Sequence, residues 1–341
     1  MSSRTSLLLL RRSRAGDADM PGVRSPISAI VVSYNSAAVL AGCLQALRER
    51  LEPAELLVVD NASRDESPAI ARGLGARVIS NRVNAGFGAG CNRGAHAAKN
   101  ELLLFANPDV QVAAADVAGL NERLNERPLG LLAPRALLAE DGEQLESSLR
   151  RSLPWPCNVA REALGPVLPR ELSRRLLASV DAPGKGSWLS GAMLLCARAE
   201  FLDLGGFDER LFLYYEDQEL SRRYRTNGLP LSVTDAITAR HVRGGSSAAD
   251  GALRAIPRAA SALSSVEVVG ITSGPRNLRI AWVLLTALRR CAAAWVGITA
   301  RGRLHGRGRR KLEELQSTKG AIAELLREPS PSYPQVKSLT T

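Results

Sequence analysis

The feature that most constrains the fold is a regular alternation of short apolar runs with helix-like segments in the first third of the chain. Strand-length runs of aliphatic and β-branched residues occupy residues 27–32, 55–59, 77–80 and 101–105. Helical patterns lie between these runs, and Ser36 is placed to cap the first helix. Such alternation with short loops predicts an α/β fold, with a mixed, mostly parallel sheet flanked by helices on both faces.

Polar residues follow these strands at the positions where parallel α/β sheets bind ligands. The clusters are Tyr34-Asn35, Asp60-Asn61, Asn81–Asn92 and Asn107–Asp109. Because the carboxyl ends of parallel strands meet at one edge of a sheet, we expect these loops to converge on a single rim.

Two carboxylates on this rim have both a chemical and a structural interpretation. Asp60 can accept hydrogen bonds from a base or from ribose hydroxyls, although an Asx turn explains it more simply when it is taken alone. Asp109 can hold the cation that neutralises a nucleotide diphosphate. A turn with Pro108 at its second position is an equally good explanation of that segment.

A glycine-rich segment at 84–90 precedes a helix and would let the backbone approach a phosphate or a sugar. Residues 81–83 separate it from the preceding strand, so it is not a dinucleotide-binding fingerprint.

The pair Glu216-Asp217 opens a predicted helix that runs to Asn227. Transfer to a hydroxyl acceptor needs a base, and a helix N-terminus favours an ionised carboxylate. Simple helix capping is the alternative and the commoner role. His241 follows a predicted strand and is either a second cation ligand or a structural histidine.

The middle of the chain gives weaker signals. Residues 135–185 are rich in Arg and Pro and show little periodicity. Beyond them, the composition predicts one strand at 188–197 and two short strands at 231–234 and 236–239.

Several motifs in a fixed order carry a resemblance to a known family. They are Val31–Ser36, Val59–Ser63, Asn84–Gly88, Asn107–Asp109, Ser190–Leu195, Gly205–Glu209, Tyr215–Asp217 and His241 with Gly244–Ser246. As a set they resemble the family 2 glycosyltransferases of GT-A fold over about residues 27–247. They are similar in particular to bacterial rhamnosyltransferase-like members that build cell-wall and surface polysaccharides.

The resemblance implies a GT-A-type, Rossmann-like domain that transfers a sugar with inversion onto a glycan or lipid-linked acceptor. The donor is expected to be a nucleotide sugar, with dTDP-rhamnose as the best guess and UDP-linked hexoses still open. Two positions depart from many relatives. Asn107 replaces the first acid of the metal motif, and Gln218-Glu219 follows Asp217 where an apolar residue and Asp are common.

The resemblance also implies a role for each site residue. The donor site would comprise Tyr34, Asn35, Asp60, Asn61, Asn84, Gly86, Asn92 and Asn107. Asp109 would hold Mg²⁺ or Mn²⁺, with His241 as a further ligand. Asp217 would be the catalytic base with Glu216 beside it, and Trp188, Ser190 and Gly191 would shape the acceptor side.

The net charge of +11 is concentrated near the C-terminus, where residues 275–341 carry 13 Lys and Arg against 4 Asp and Glu. Such a tail indicates an anionic partner, and no nucleic-acid-binding motif accompanies it. Apolar residues at helical spacing follow Pro275; they are Ile280, Val283, Leu284, Ala287, Leu288, Cys291 and Trp295. Residues 275–327 are therefore predicted either to lie on an anionic membrane surface, anchored by Trp282 and Trp295, or to pack on the catalytic domain or a second copy.

We expect three regions: a disordered segment at 1–25, a catalytic domain at 26–250 and a basic helical extension at 251–341. The nucleotide-sugar half would occupy about 26–112 and the acceptor half about 113–250. The apolar run at 7–10 is too short for a signal peptide, and no stretch is long enough to span a membrane. Five cysteines without a CxxC motif favour a reducing compartment, hence a cytoplasmic enzyme at the inner face of the plasma membrane.

Two other functions are compatible with an α/β fold. A sugar nucleotidyltransferase would need a basic, glycine-rich phosphate loop after the first strand, where this chain has Ser33–Ser36. A non-catalytic carbohydrate-binding protein would have no need of both Asp109 and Asp217.

Overall fold

The computed structural model describes residues 25–126, 128–139, 144–164, 168, 186–241, 255–301, 307–327 and 332–340. The segment at 1–24 that we predict to be disordered and the Gly244–Ser246 motif lie outside these residues. Ser25, which we had assigned to the disordered segment, begins the first strand.

The strands, in chain order, are β1 Ser25–Ser33, β2 Pro53–Asp60, β3 Arg77–Ser80, β4 Leu102–Ala106, β5 Val110–Ala115, β6 Leu131–Pro134, β7 Ala136–Leu138, β8 Gln144–Ser147, β9 Leu149–Arg151, β10 Ser187–Leu189, β11 Met193–Ala197, β12 Leu231–Thr234 and β13 Ile237–His241. The helices are α1 Ala37–Leu51, α2 Ser67–Gly73, α3 Phe87–Ala97, α4 Val117–Leu124, α5 Trp155–Leu164, α6 Arg198–Asp203, α7 Glu216–Thr226, α8 Ala255–Ser273, α9 Pro275–Arg301, α10 Arg307–Arg327 and α11 Pro334–Lys337.

The central sheet has seven strands in the order β12-β6-β11-β4-β1-β2-β3. β1 runs parallel to both β2 and β4, and β3 continues this parallel run, as the alternation of strands and helices predicts. β11 is antiparallel to both of its neighbours, β4 and β6. The sheet is therefore mixed and mostly parallel, and the predicted fold class is confirmed.

Helices cover both faces of the sheet because successive side chains of a strand point to opposite sides. In β1, Ile27 and Val31 pack with Leu44 of α1, whereas Ile30 joins the cluster that contains Cys91 of α3. The second face also holds three mutually packed phenylalanine rings, Phe105, Phe201 and Phe207, with centroids 5.0 to 5.6 Å apart. The buried β-branched runs thus form the middle layer of a three-layer domain.

The single strand predicted at 188–197 is wrong. The chain forms β10 and β11 instead, and the three residues between them leave the sheet. Ser190 donates its N–H to the Ser148 carbonyl at 2.9 Å, and Gly191 donates its N–H to a side chain of α7. The interruption is a long-range effect that strand propensity does not report.

A third core joins the C-terminal helices to the rest of the protein. Val159 and Ala163 of α5 and Phe212 pack against buried residues of α8 to α11, including Leu263 and Leu285. Hydrogen bonds cross the same contact, since Tyr333 donates its N–H to the Arg210 carbonyl at 2.8 Å. Of the two placements predicted for the extension, packing on the catalytic domain is present.

The apolar face predicted for the helix after Pro275 packs only in part. In α9 the buried side chains are Leu278, Ala281, Leu285, Ala292 and Val296. Of the predicted stripe, Leu284 and Leu288 pack against the third core, whereas Val283 is 63% exposed and Trp295 56% exposed. The helix therefore has a buried apolar face and, beside it, a row of outward apolar side chains. No helix among the described residues is both long and apolar enough to cross a bilayer.

Candidate active site

The loops at the carboxyl edge of the sheet converge as predicted, and Asn61 connects them. Its N–H donates to the Ser33 carbonyl at the end of β1. Its amide nitrogen donates to the Gly86 carbonyl at 2.9 Å, and its amide oxygen accepts from Asn81 at 2.6 Å. With all these groups in use, Asn61 is placed to shape the rim.

Tyr34 and Asn35 form a turn against the loop that follows β2. Asn35 adopts a left-handed backbone conformation with φ of 50°, and its side-chain oxygen accepts the N–H of Arg64 at 2.8 Å. Asp60 is buried and accepts the N–H of Ser63, three residues on, and not that of Ala62 as an Asx turn would require. Tyr34 is 44% exposed, so its ring is open to a ligand on this rim.

The cap of α1 comes from a residue that the sequence analysis missed. The Ser36 hydroxyl donates to the Tyr34 carbonyl and does not cap the helix. The Asp65 carboxylate instead accepts the N–H of Ala37 at 2.9 Å, together with the N–H and hydroxyl of Ser67. Although burial opposes them, these hydrogen bonds hold the pKa of Asp65 below its ordinary value. An acid two residues before the Ser67-Pro68 helix start is the sequence signal for this role.

The glycine-rich segment packs against the loop that leads into α7. Gly86 has φ of 94°, its N–H donates to the Asn84 side chain at 3.1 Å, and a Cβ there would overlap the Phe212 carbonyl oxygen. Phe87 donates its N–H to that same carbonyl at 3.0 Å. A glycine is required here for both conformation and space.

Asn92, which is predicted to lie along the nucleotide-sugar donor, makes several hydrogen bonds within the protein. Its amide oxygen accepts the Phe207 N–H at 2.8 Å, and its amide nitrogen donates to the Phe207 carbonyl and to Glu209, both at 2.9 Å. These hydrogen bonds anchor the loop at 206–209 and account for Asn92 without a ligand.

Asp109 and His241, the two predicted cation ligands, lie side by side. β13 pairs antiparallel with β5, which places His241 opposite Val110. The distance from His241 Nε2 to Asp109 Oδ1 is 3.2 Å, and both side chains are mostly buried. Asn107, the remaining predicted residue of this loop, donates its N–H to the Ala192 carbonyl at 2.9 Å.

A carboxylate and an imidazole suit a divalent cation whose other ligands are diphosphate oxygens and water. No group of three or more His, Cys, Asp or Glu side chains with metal-binding geometry occurs in the described part of the chain. Asp109 and His241 therefore fit part of the coordination shell of such a cation.

Glu216 and Asp217 begin α7 after a strained turn. Tyr214 and Tyr215 both have φ of 68°, a conformation that costs a non-glycine residue on the order of 1 kcal/mol. The Tyr215 hydroxyl holds the turn, because it accepts a hydrogen bond from Arg161 at 3.1 Å and donates to Glu162 at 3.2 Å on α5. The strain points to a function at the residues that follow.

Asp217 faces the interruption between β10 and β11. Its Oδ2 accepts the Gly191 N–H at 2.9 Å, and its Oδ1 accepts the Gln218 N–H at 2.8 Å. Burial raises the pKa of Asp217 to about 6, even though these N–H groups and the charge of Arg150 oppose the shift. The sequence predicts that the helix dipole keeps this acid ionised; burial outweighs that effect and leaves a carboxylate that is ionised only above about pH 6.

Glu216 has a different environment although it is the adjacent residue. Its side chain is buried, and its Oε2 makes no hydrogen bond to any described residue. Burial, and then the neighbouring Asp217 carboxylate, raise the pKa of Glu216 well above its ordinary value. Of the two neighbouring carboxyls, Glu216 therefore holds its proton more tightly, and Asp217, which accepts two N–H groups, is the more readily ionised.

The predicted acceptor-side residues lie next to Asp217, together with one that was missed. Antiparallel pairing of β9 and β10 places Arg150 opposite Trp188, with the guanidinium 5.3 Å from the indole centroid. Ser190 and Gly191 follow directly, and Gly191 touches Asp217. Arg150 lies in the stretch at 135–185 that shows little periodicity, and only its basic character marks it.

The pKa of Tyr214 responds to carboxylates of both the Glu216–Asp217 pair and the Asp109–His241 pair. Desolvation, and then the carboxylates of Glu216, Glu162 and Asp109, raise the pKa of Tyr214. The phenol therefore lies within electrostatic range of both the acid pair and the Asp109–His241 pair. The sequence signal for it was the Tyr-Tyr step before Glu216, which we had not assigned a role.

Comparison with known proteins identifies the family. Residues 28–167 match the profile of glycosyl transferase family 2. An N-acetylglucosaminyl-diphospho-decaprenol L-rhamnosyltransferase of Mycobacterium tuberculosis is 32% identical over 235 residues, covering 62% of this chain and 75% of that protein. A low-salt glycan biosynthesis hexosyltransferase, Agl10, of Haloferax volcanii is 25% identical over 222 residues, covering 63% of this chain and 66% of that protein.

Among solved structures, mannosyltransferase PcManGT from Pyrobaculum calidifontis, in complex with GDP-Man and Mn²⁺, superposes with a TM-score of 0.46 and 18% identity, over 92% of this chain and 90% of that chain. Residues 1–349 of S. aureus TarS give a TM-score of 0.46 and 16% identity, over 88% and 90% of the two chains. On the sequence matches, this chain belongs to glycosyl transferase family 2 and is a glycosyltransferase.

Proposed function

We propose that the protein transfers a sugar from a nucleotide-sugar donor, with inversion at the anomeric carbon, to a saccharide linked to a polyprenyl diphosphate. The environment of Asp217 carries the proposal. Its carboxylate is oriented by the Gly191 N–H, and burial raises its pKa to about 6. A base with a pKa near the working pH combines the ionised state with proton affinity.

In the proposed reaction the acceptor hydroxyl lies against Asp217 and beside Trp188. The hydroxyl oxygen forms a bond to the anomeric carbon as the bond from that carbon to the donor diphosphate breaks. Asp217 takes the hydroxyl proton, and the nucleoside diphosphate leaves with the bonding electron pair. The N–H groups of Gly191 and Gln218 fix the carboxylate, so that its remaining lone pairs face the acceptor.

The rim of the sheet is proposed to hold the donor. Tyr34 offers an exposed ring for the base, and the turn at Asn35 and Asp60 offers polar groups for the ribose. Asp109 and His241 would hold Mg²⁺ or Mn²⁺, which neutralises charge on the departing diphosphate when bound. Asn84 and Gly86 place backbone close to the same rim.

The choice of sugar and acceptor rests on the relatives. The mycobacterial relative is named as a rhamnosyltransferase acting on a decaprenol-linked diphosphate sugar, whereas the archaeal one is named as a hexosyltransferase. We propose dTDP-rhamnose as the donor and a polyprenyl-linked saccharide of cell-wall or surface polysaccharide synthesis as the acceptor. Outward apolar side chains lie along α9, and the exposed residues of this helix also include Arg276, Arg279 and Arg290. Both features support contact with an anionic membrane surface.

A panel of nucleotide sugars tests the proposal. The full chain is mixed with dTDP-rhamnose, UDP-glucose, UDP-N-acetylglucosamine or GDP-mannose, each with Mn²⁺, Mg²⁺ or chelator, and the melting temperature and the release of nucleoside diphosphate are measured. We expect metal-dependent stabilisation and slow donor hydrolysis with dTDP-rhamnose. The same response to a UDP sugar alone would replace rhamnose, and no response to any donor or metal would contradict the donor site.

A further inference from the structure

An apolar groove separates α9 from α10, far along the chain from the proposed catalytic residues. Its volume is about 520 Å³, within the range of ligand pockets. The apolar walls come from residues that include Leu285, Ala293, Leu315 and Ile322. Among the lining residues that the structure describes there is neither Asp nor Glu, whereas Arg289, Arg290 and Lys319 are present. The groove thus combines an apolar interior with a positively charged margin.

Arg289 is the residue that indicates an anionic ligand. It is partly buried in the groove wall, and its Nη2 makes no hydrogen bond to any described residue. Burial lowers the pKa of this guanidinium, while the charge of Glu162 opposes the shift. A desolvated cation with an unused N–H gains most from an anion placed against it.

The groove is connected to the acceptor side of the catalytic centre. α9 packs on α5, and α5 carries Arg161 and Glu162, which hold the Tyr215 hydroxyl. Tyr215 immediately precedes the Glu216-Asp217 pair. One helix therefore separates the groove from the turn that positions the proposed base.

We propose that this groove binds the isoprenoid chain of the acceptor, with the acceptor's diphosphate against Arg289, Arg290 and Lys319. The inference rests on the proposed lipid-linked acceptor. The groove's charge favours this occupant over the N-terminal segment of the same chain, because residues 1–24 contain five Arg and two Asp and are themselves basic. Binding of the isoprenoid chain in the groove would bring the saccharide end of the acceptor toward Asp217 from the α5 side.

The test measures lipid binding without sugar transfer. A fluorescent farnesyl diphosphate analogue is titrated into the full-length wild-type protein, and into Ala323→Trp, which fills the groove from α10. Ser317→Trp, on the exposed side of the same helix, is the matched control. We expect saturable binding that Ala323→Trp weakens at least tenfold and Ser317→Trp leaves unchanged. Absence of binding to the wild type, or equal binding to all three proteins, would overturn the proposal.

A second variant tests the head-group contact. Arg289→Gln is expected to weaken the diphosphate probe by roughly tenfold, as loss of one charge-assisted hydrogen bond implies, and to leave binding of uncharged farnesol unchanged. Equal effects on both probes would overturn the assignment of Arg289.

Two further measurements separate this inference from other outcomes. In the first, vesicles of phosphatidylcholine and phosphatidylglycerol are mixed with the wild type and with Ala323→Trp. Equal binding to the two proteins would show that the membrane contact lies outside the groove. Vesicles that displace the probe from the wild type mean that the groove takes bulk lipid, which contradicts our assignment. The donor-dependent thermal shift, measured on the same variants, reports on the proposed function alone, so the two can fail separately.

Discussion

At the scale of single residues, two adjacent acids differ in proton affinity because their side chains enter different environments. Glu216 is buried and its Oε2 has no hydrogen-bond partner among the described residues, while Asp217 accepts the Gly191 N–H. The sequence places both at a helix start, which is a local property. It cannot distinguish them, because the burial of each depends on β10, β11 and α5, which lie far from them along the chain.

Replacement of Asp217 by Asn should lower the transfer rate by about 10³-fold, the typical contribution of a general base. Glu216→Gln is the matched control, because burial raises the pKa of Glu216 well above its ordinary value and the neutral amide preserves its shape. Its rate should stay within severalfold of the wild type. Initial rates with saturating donor decide the point, and a fully active Asp217→Asn enzyme would remove the base from the mechanism.

The pH dependence of the transfer rate should reflect the ionisation of Asp217. The rate should fall on the acidic side with an apparent pKa of about 6, and Glu216→Gln should leave this limb in place. The pKa of Asp217 in the folded protein exceeds its ordinary value of 3.8, so the folded state holds the proton more tightly. The contribution of Asp217 to the free energy of unfolding therefore falls as pH rises from about 4 to about 6.

For the same reason Asp217→Asn should melt at a higher temperature than the wild type at pH 8 and at an equal temperature near pH 4. Scanning calorimetry at the two pH values measures the difference. A variant that is less stable at pH 8 would show that the carboxylate is stabilised, not strained, by its surroundings.

At the scale of elements, the segments from β1 to β4 were predictable, whereas beyond β4 the local pattern located α7, β12 and β13 but missed the short strands between residues 110 and 151. From β1 to β4 each strand, polar loop and helix is adjacent in sequence, so local pattern and propensity determine the structure. His241 lies beside Asp109 only because β13 pairs with β5 across more than a hundred residues. The family resemblance, and not the local sequence pattern, assigned these two residues to one cation site.

The pairing of β5 with β13 gives a test of the cation site. Asp109→Asn should weaken the Mn²⁺-dependent binding of nucleoside diphosphate at least tenfold, because it removes the negative charge that attracts the cation. His241→Gln, which keeps a neutral donor, should weaken it less. Isothermal titration of nucleoside diphosphate with and without Mn²⁺ measures both, and unchanged metal dependence in Asp109→Asn would place the cation elsewhere.

The contact between the glycine-rich segment and the loop before α7 gives another test. Gly86→Ala should cost about 2 kcal/mol in the free energy of unfolding, because it combines a left-handed backbone with overlap at the Phe212 carbonyl. Gly73→Ala is the control, since a Cβ at the end of α2 has nothing within 4 Å. Urea unfolding should show no loss for Gly73→Ala, and equal stability of the two variants would contradict the packing.

At the scale of the whole molecule, the third core crosses the boundary predicted at residue 250. Phe212 and α5 share it with α8 to α11, and the Ser264 hydroxyl donates to the Leu213 carbonyl at 2.8 Å. Removal of the extension would therefore expose apolar surface of the catalytic half. A truncated protein is a poor control for membrane binding, and point substitutions on exposed residues are better.

Membrane contact should depend on the outward face of α9. Val283→Ser with Trp295→Ser should reduce co-sedimentation with anionic vesicles severalfold without lowering the melting temperature, since both side chains are exposed. Leu285→Ser, on the buried face of the same helix, should lower the melting temperature instead. Undiminished sedimentation of the double variant would exclude this face as the contact.

The place of β11 in the sheet also determines when the protein can fold during its synthesis. Among the described strands β6 pairs with β11 and β12 alone, so it stays unpaired until the ribosome has released the chain beyond β11, at residue 197. Until β11 arrives, the inner edge of β4 is open as well. The nascent chain must therefore carry exposed, aliphatic strand edges through much of its translation, and a chaperone that shields them would be needed most in that interval.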